Sequence, residues 1–381
     1  MEYRNPSTAR LIIDGADALS EILRAIHEAE NSIHIRAFMW RDDTVGRMLI
    51  EALLQKIEIY PDIDIDIRKD AFGTRVYNTQ KIITFGKMWG DIFSSSLAKK
   101  LLEKKNVSFA LVGSSSLIMF KYLKENDHSK IWLFDESTEN PKAIIGGMNI
   151  AEEYLTAQNR ENPDAGWWHD YMVIFSGELA DAISIKQREQ KEALWIAKKI
   201  REWVEILSNI KDKHFIRREI LWELSRAKKS VYIEHGYITD FAIIRRLRQI
   251  SRRGVTVKII IPDRSDGVYH ANMYSIYQLL RPSLLHPHKL NPKLSVHLYP
   301  GRIHAKAIVI DRCTAILGSA NLTYGSFDLL SETNAIFRQT DGVVRDLLTQ
   351  IEEDLTYCTK LTLDTIPPYK KWMAWLQKIF I

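Results

Sequence analysis

One pattern occurs twice in this chain, and that duplication limits its fold more than any other feature. The later copy reads His304-Ala305-Lys306, an apolar run to Asp311, then Gly318-Ser319-Ala320-Asn321; the earlier reads His128-Ser129-Lys130, Asp135, then Gly146-Gly147-Met148-Asn149. Two copies of His-x-Lys-x4-Asp, each followed by a small-residue turn and an asparagine, are hard to obtain by chance. A lone His-x-Lys on a strand is usually a solvent-side pair; the matched doublet points to phosphodiester chemistry with two histidines. The repeat extends upstream, where Ala29-Glu30-Asn31-Ser32-Ile33 resembles Ala227-Lys228-Lys229-Ser230-Val231. The interval from this landmark to the motif histidine is longer in the first half, which an insertion near Lys81 to Lys105 would account for. A repeat of this length is a duplicated domain, not a solenoid unit, and 381 residues leave room for two.

The periodicity between the landmarks is that of an α/β protein. Ala18, Leu19, Ile22, Leu23 and Ile26 recur at helical spacing, followed by an alternating strand over Ser32 to Phe38, a helix over Met48 to Ile57 and a strictly alternating strand over Asp62 to Ile67. Helix, strand, helix, strand in succession implies a sheet packed by helices. The second half repeats the order, with a helix over Phe215 to Lys229 and strands at Ser230 to Glu234, Val255 to Ile261 and Leu294 to Tyr299. These boundaries predict a first lobe over residues 1–178, a helical connection over 179–213, a second lobe over 214–364 and an amphipathic, Trp-rich tail over 365–381.

On a strand, residues i and i+2 share a face, so His304 and Lys306 point one way, into a cleft, and so do His128 and Lys130. Tight small-residue turns let Asn149 and Asn321 approach the same site as substrate-binding donors. If the repeats pack about a pseudo-twofold axis, two imidazoles face each other across one phosphate. Such a pair suits a two-step displacement, in which one histidine attacks phosphorus and the other protonates the leaving oxygen. Lysines and asparagines would hold the non-bridging oxygens, and no metal or cofactor is needed. Each histidine needs a carboxylate to fix its tautomer. Asp170 is the candidate in the first half and Glu332, the expected partner of His304, in the second. His169, His214, His235, His286 and His288 read as structural, and Asp263 and Asp266 as strand terminators.

The two motifs, His128/Lys130/Asp135 and His304/Lys306/Asp311, with Gly-Gly-Met-Asn and Gly-Ser-Ala-Asn behind them, resemble those of the phospholipase D superfamily. Within it the chain looks most like bacterial cardiolipin synthases. That likeness is carried by Ala37-Phe38-Met39-Trp40 with Asp43 and Gly46, by Arg252-Arg253-Gly254-Val255 with Pro262 and Asp266, and by the stretch from His304 to Leu322. The resemblance implies two pseudo-symmetric α/β/α sandwich lobes with one active site between them. It implies that His128 is the nucleophile and His304 the acid/base, with Asp135 and Asp311 mainly structural or electrostatic members of the catalytic motifs. The expected activity is a phosphatidyltransferase making cardiolipin from phosphatidylglycerol or a similar donor through a covalent phosphohistidine. The alternatives are hydrolysis by a lipase or nuclease of the same fold, or a non-catalytic phosphate- or lipid-binding protein.

A net charge of +5 favours anionic partners: phospholipid substrates first, nucleic acid only under the nuclease alternative. Cys313 and Cys358 are too few for a disulfide framework or a zinc site. Neither a signal peptide nor a transmembrane run is expected, so the predicted place is cytoplasmic, peripheral on the inner face of the membrane. Trp372, Trp375, Leu376, Ile379 and Phe380 form one stripe at helical spacing beside Lys370, Lys371 and Lys378. Such a stripe can lie in a membrane interface or close a core, and the sequence leaves both open, as it does for Lys81 to Phe93.

Overall fold

A computed structural model describes residues 7–73, 90–113, 126–155, 168–189, 197–201, 203–209, 215–264, 268–282, 293–340 and 342–380. The first half runs β1 (Ala9–Ile13), α1 (Asp14–Glu28), β2 (Ser32–Ala37), α2 (Thr44–Ile59), β3 (Asp64–Asp70), α3 (Ser96–Leu102), β4 (Val107–Val112), β5 (Ile131–Phe134), β6 (Lys142–Gly146), β7 (Trp168–His169) and β8 (Tyr171–Ser176). Then come α4 (Glu178–Glu189), β9 (Ala197–Arg201), β10 (Val204–Asn209), α5 (Ile216–Arg226), β11 (Ser230–His235), α6 (Phe241–Arg252), β12 (Thr256–Pro262), α7 (Tyr269–Leu280) and β13 (Leu294–Tyr299). The chain closes with β14 (Arg302–Ile303), β15 (Lys306–Ile310), β16 (Thr314–Gly318), α8 (Tyr324–Asp328), β17 (Glu332–Arg338), α9 (Val343–Tyr357), β18 (Thr359–Lys360) and α10 (Lys371–Phe380).

The duplication seen in the sequence is a duplication of topology. The first sheet has the order β4-β3-β2-β5-β6-β8-β1, and the second repeats it as β13-β12-β11-β15-β16-β17-β10, with β18 and β9 added at its edges. In each, three neighbouring strands are parallel and the motif strand joins them antiparallel, β5 on β2 and β15 on β11. Equivalent aspartates cap the helices after the central strands: Asp43 accepts from Gly46 N at 2.9 Å before α2, and Asp240 accepts from Ile243 N at 3.0 Å before α6.

Each sheet buries one face against its own helices. Ile22 and Ile26 of α1 and Leu49 and Leu53 of α2 pack on Ile33, Ile35, Ile65 and Ile67; in the second half α5, α6 and α7 cover Val231, Ile233, Val257 and Ile259. The opposite faces meet in a shared core, where Phe175 of β8 stacks on Phe337 of β17 with ring centroids 5.9 Å apart. The lobes are therefore joined by apolar packing, and both motif strands run along that junction.

Among the described residues of 179–213, expected as a helical connection, helix is confined to α4, and β9 and β10 extend the second sheet. Within β10, Val204 and Ile206 face the inter-lobe core while Leu207 faces the helix-covered core, all fully buried. A segment buried on both faces satisfies its backbone by strand pairing, here with β17 and β9. Residues 81–89 of the expected insertion, the segment Ser114 to Glu125, Asp266, His214, His286 and His288 lie outside the described residues.

Candidate active site

The motif histidines sit just before β5 and β15, at the edge where the parallel strands of each sheet end. His128 is held from the second half: its N–H donates to Ser331 O at 2.8 Å, and its Nδ1 lies 3.0 and 3.1 Å from the Glu332 carboxylate oxygens. His304 is held from the first half: its N–H donates to His169 O at 2.8 Å, and its Nδ1 lies 2.7 Å from Asp170 Oδ2. The expected assignment of Glu332 to His304 is thus reversed. Each imidazole pairs with the carboxylate of the other lobe, because each motif segment docks by its backbone on the strand entry that carries the opposite acid. With Nδ1 directed at a carboxylate, Nε2 is the ring nitrogen left for chemistry.

The two dyads are similar but not identical. Ser319 Oγ donates to Glu332 Oε2 at 2.5 Å, whereas the matching position in the first half is Gly147. A Cβ on Gly147 would stand 2.4 Å from Asp170 Oδ1, so only glycine fits beneath the shorter acid. Asn149 Nδ2 donates to Tyr154 OH at 3.1 Å, and that hydroxyl lies 3.3 Å from His304 Nδ1, tying the first asparagine to the second histidine. The Oδ1 atoms of Asn149 and Asn321 are buried and make no hydrogen bond among the described residues.

Four basic side chains are buried together here: His128, Lys130, His304 and Lys306 are at most 7% exposed. Lys130 Nζ donates to His128 O at 2.5 Å, and Lys306 Nζ donates to His304 O and lies 2.8 Å from His304 Nδ1. Burial pushes the Lys130 ammonium down to about 7, with Glu332 opposing and Lys306 adding to the fall. His304 is held well below the ordinary imidazole range, first by burial and then by Lys306, Lys130, His128 and His235. His128 is lowered chiefly by burial, with Glu332 opposing. Burial raises the Asp170 carboxyl to about 7, against the pull of Lys306. Such a cluster resists full protonation until an anion enters, and its charge suits a phosphodiester.

Asp135 and Asp311 do not join this group. Each ends its motif strand with a left-handed backbone, φ 51° and 52°. Asp135 accepts from the backbone N–H groups of Glu30, Asn31 and Ser32; Asp311 accepts from those of Lys228, Lys229 and Ser230, at 2.7–2.9 Å. They bind the helix-to-strand turns at the far end of the strands from the histidines, so their place among the catalytic candidates becomes a structural one.

Sequence reasoning missed the aromatic walls. Phe38 meets the His128 ring edge-on at 4.5 Å, and Tyr154 and Trp168 flank His304 at 5.6 and 5.2 Å. None lies at a periodic offset from a motif. The offset of Ser319, matched against Gly147, was the one available signal that a hydroxyl contacts Glu332.

The two-lobed fold and the crossed histidine–carboxylate dyads form an arrangement suited to phosphodiester chemistry. A family model described as "Cardiolipin synthase, PLD-like domain" matches residues 220–356. The chain is 25% identical over 393 aligned positions to the major cardiolipin synthase ClsA of Bacillus subtilis, covering 97% of this chain and 73% of that protein. It is 25% identical over 374 positions to cardiolipin synthase 1 of Staphylococcus aureus, covering 93% of this chain and 68% of that one. Among solved structures, phosphatidylserine synthase of Haemophilus influenzae shares the fold, with a TM-score of 0.68 at 13% identity over 98% of this chain and 92% of that one. The chain is thus similar to bacterial cardiolipin synthases over most of its length, and its second half matches their phospholipase D-like domain.

Proposed function

We propose that this protein is a phosphatidyltransferase that makes cardiolipin from phosphatidylglycerol or a similar donor through a covalent phosphohistidine. The observation that carries the mechanism is the crossed pair of dyads, which gives one phosphate two imidazoles in different settings. In this reading His128 Nε2 attacks phosphorus and the bond from phosphorus to the donor's headgroup oxygen breaks. His304, which takes up a proton at Nε2 once the substrate's negative charge is in place, gives that proton to this oxygen, and the alcohol leaves. A hydroxyl of a second lipid then gives its proton to His304 and attacks phosphorus, breaking the P–N bond and restoring neutral His128.

Lys130 and Lys306 offset the charge on the non-bridging oxygens, and Asn149 and Asn321 position them. Glu332 holds His128 in the tautomer that attacks, aided by Ser319. Asp170 stabilises His304 as it gains a proton, which the surrounding positive charge otherwise opposes. Peripheral contact with the inner membrane face from the cytoplasm fits this substrate class.

The test is product identification. Incubated with phosphatidylglycerol vesicles, the protein is expected to yield cardiolipin and glycerol, with turnover unchanged by a chelator. Phosphatidic acid alone would make it a hydrolase; cleavage of DNA with no lipid turnover would make it a nuclease; strong inhibition by the chelator would overturn the metal-free mechanism.

A further inference from the structure

The tail helix α10 is docked on the protein, yet its tryptophans are not. Ala374 is buried, and Gln377 Oε1 accepts from Ala271 N, in the first turn of α7, at 2.9 Å. Just ahead of the helix, Lys370 N donates to His270 Nδ1 at 3.2 Å and Tyr369 packs on Tyr274 at 6.2 Å. The opposite side of the helix leaves Trp372 62%, Trp375 64% and Leu376 38% exposed. Core closure therefore accounts for one face of α10 and leaves the indoles unexplained.

The placement of α10 is informative. Helices α6 and α7 begin where the parallel strands β11 and β12 end, the same edge at which His304 and Lys306 stand. Lys378 lies near Asp240, whose N–H donates to Leu322 O at 2.9 Å, next to Asn321 of the second motif. Two more exposed aromatic residues lie on the same rim: Phe241, at the start of α6 and 70% exposed, and Tyr324, three positions past Asn321 and 50% exposed. Basic charge is interleaved with these rings. Lys370 and Lys371 are exposed next to Trp372, and Arg245, one turn along α6 from Phe241, is exposed as well.

We propose that α10, with Phe241 and Tyr324, forms a lip by which the protein sits on an anionic phospholipid bilayer, so that a headgroup passes from the membrane into the cleft. Indoles favour the headgroup layer, and adjacent lysines and arginines favour anionic lipid, so the charge selects a bilayer over a second copy of this cationic chain. The proposal rests on the lipid reading of the site, but binding and turnover are measured separately.

The experiment compares the full chain with Trp372→Ala/Trp375→Ala and with Phe241→Ser. Each is assayed for co-sedimentation with phosphatidylglycerol-containing and with pure phosphatidylcholine vesicles, for turnover of vesicle lipid, and for cleavage of a water-soluble chromogenic phosphodiester. Expected are binding that requires phosphatidylglycerol, a loss of binding and of vesicle turnover of about tenfold in the double variant, a smaller loss in Phe241→Ser, and unchanged cleavage of the soluble ester. Vesicle binding unaffected by either variant would overturn the lip, as would a tryptophan-dependent dimer that does not bind vesicles. If the double variant unfolds, Phe241→Ser alone decides by the same comparison. Tryptophan-dependent binding with no lipid turnover by the parent protein would defeat the transferase reading and leave the lip standing.

Discussion

His304 shows how the site sets its own protonation. It is buried, lies within reach of Asp170, and is surrounded by Lys306, Lys130, His128 and His235, whose charges lower its proton affinity after burial has already done so. An imidazole in that position stays neutral near pH 7 until a phosphodiester supplies negative charge, which ties proton transfer to substrate occupancy. The sign can be checked on Lys306→Met. Removing a positive neighbour should raise the pH at which His304 titrates, followed by NMR of the ring protons, while kcat falls by about 10²-fold through loss of the phosphate clamp. Titration at the same or a lower pH would mean that Lys306 does not set this imidazole. The sequence disclosed these residues by type and offset but not their partners. Glu332 and Asp170 were legible as acids opening a strand, yet which histidine each serves depends on the packing of two lobes, and no local pattern encodes that.

The motif strands owe their position to the aspartates at their ends. Asp135 and Asp311, in left-handed backbone, each gather three amide N–H groups from the turn before the central strand, β2 or β11. The third letter of the repeated motif is therefore an anchor that fixes the register of a strand whose other end carries the chemistry. Asp311→Ala should cost about 2–4 kcal/mol in urea denaturation, since the amides lose their acceptor and the backbone its tolerant residue, with kcat of the folded protein within a few-fold of the parent. Wild-type stability with kcat abolished would return Asp311 to the catalytic set. Strands and amphipathic helices were legible here because β2, β3, α1 and α2 alternate or repeat cleanly. Strand β10 was not, because a strand buried on both faces offers no clean alternation.

At the scale of the whole molecule, neither lobe holds a working dyad by itself. The first contributes His128 and Asp170, the second His304 and Glu332, and the carboxylates cross the junction that Phe175 and Phe337 seal. Duplication with crossed support couples assembly to catalysis: the inter-lobe core that holds the sheets together also sets the geometry of both imidazoles. The same junction makes two like halves unequal, since Gly147 leaves room for Asp170 while Ser319 bonds to Glu332, and this asymmetry supports a division between nucleophile and acid/base. The most direct test is to trap the intermediate: react His304→Ala with a phosphatidyl p-nitrophenyl ester, whose leaving group needs no proton, quench, and map the modified residue by mass spectrometry. The account predicts a phosphatidyl adduct on His128 that persists because the second proton transfer is lost, and no adduct in His128→Ala; an adduct on another residue, or full turnover in either variant, would contradict it.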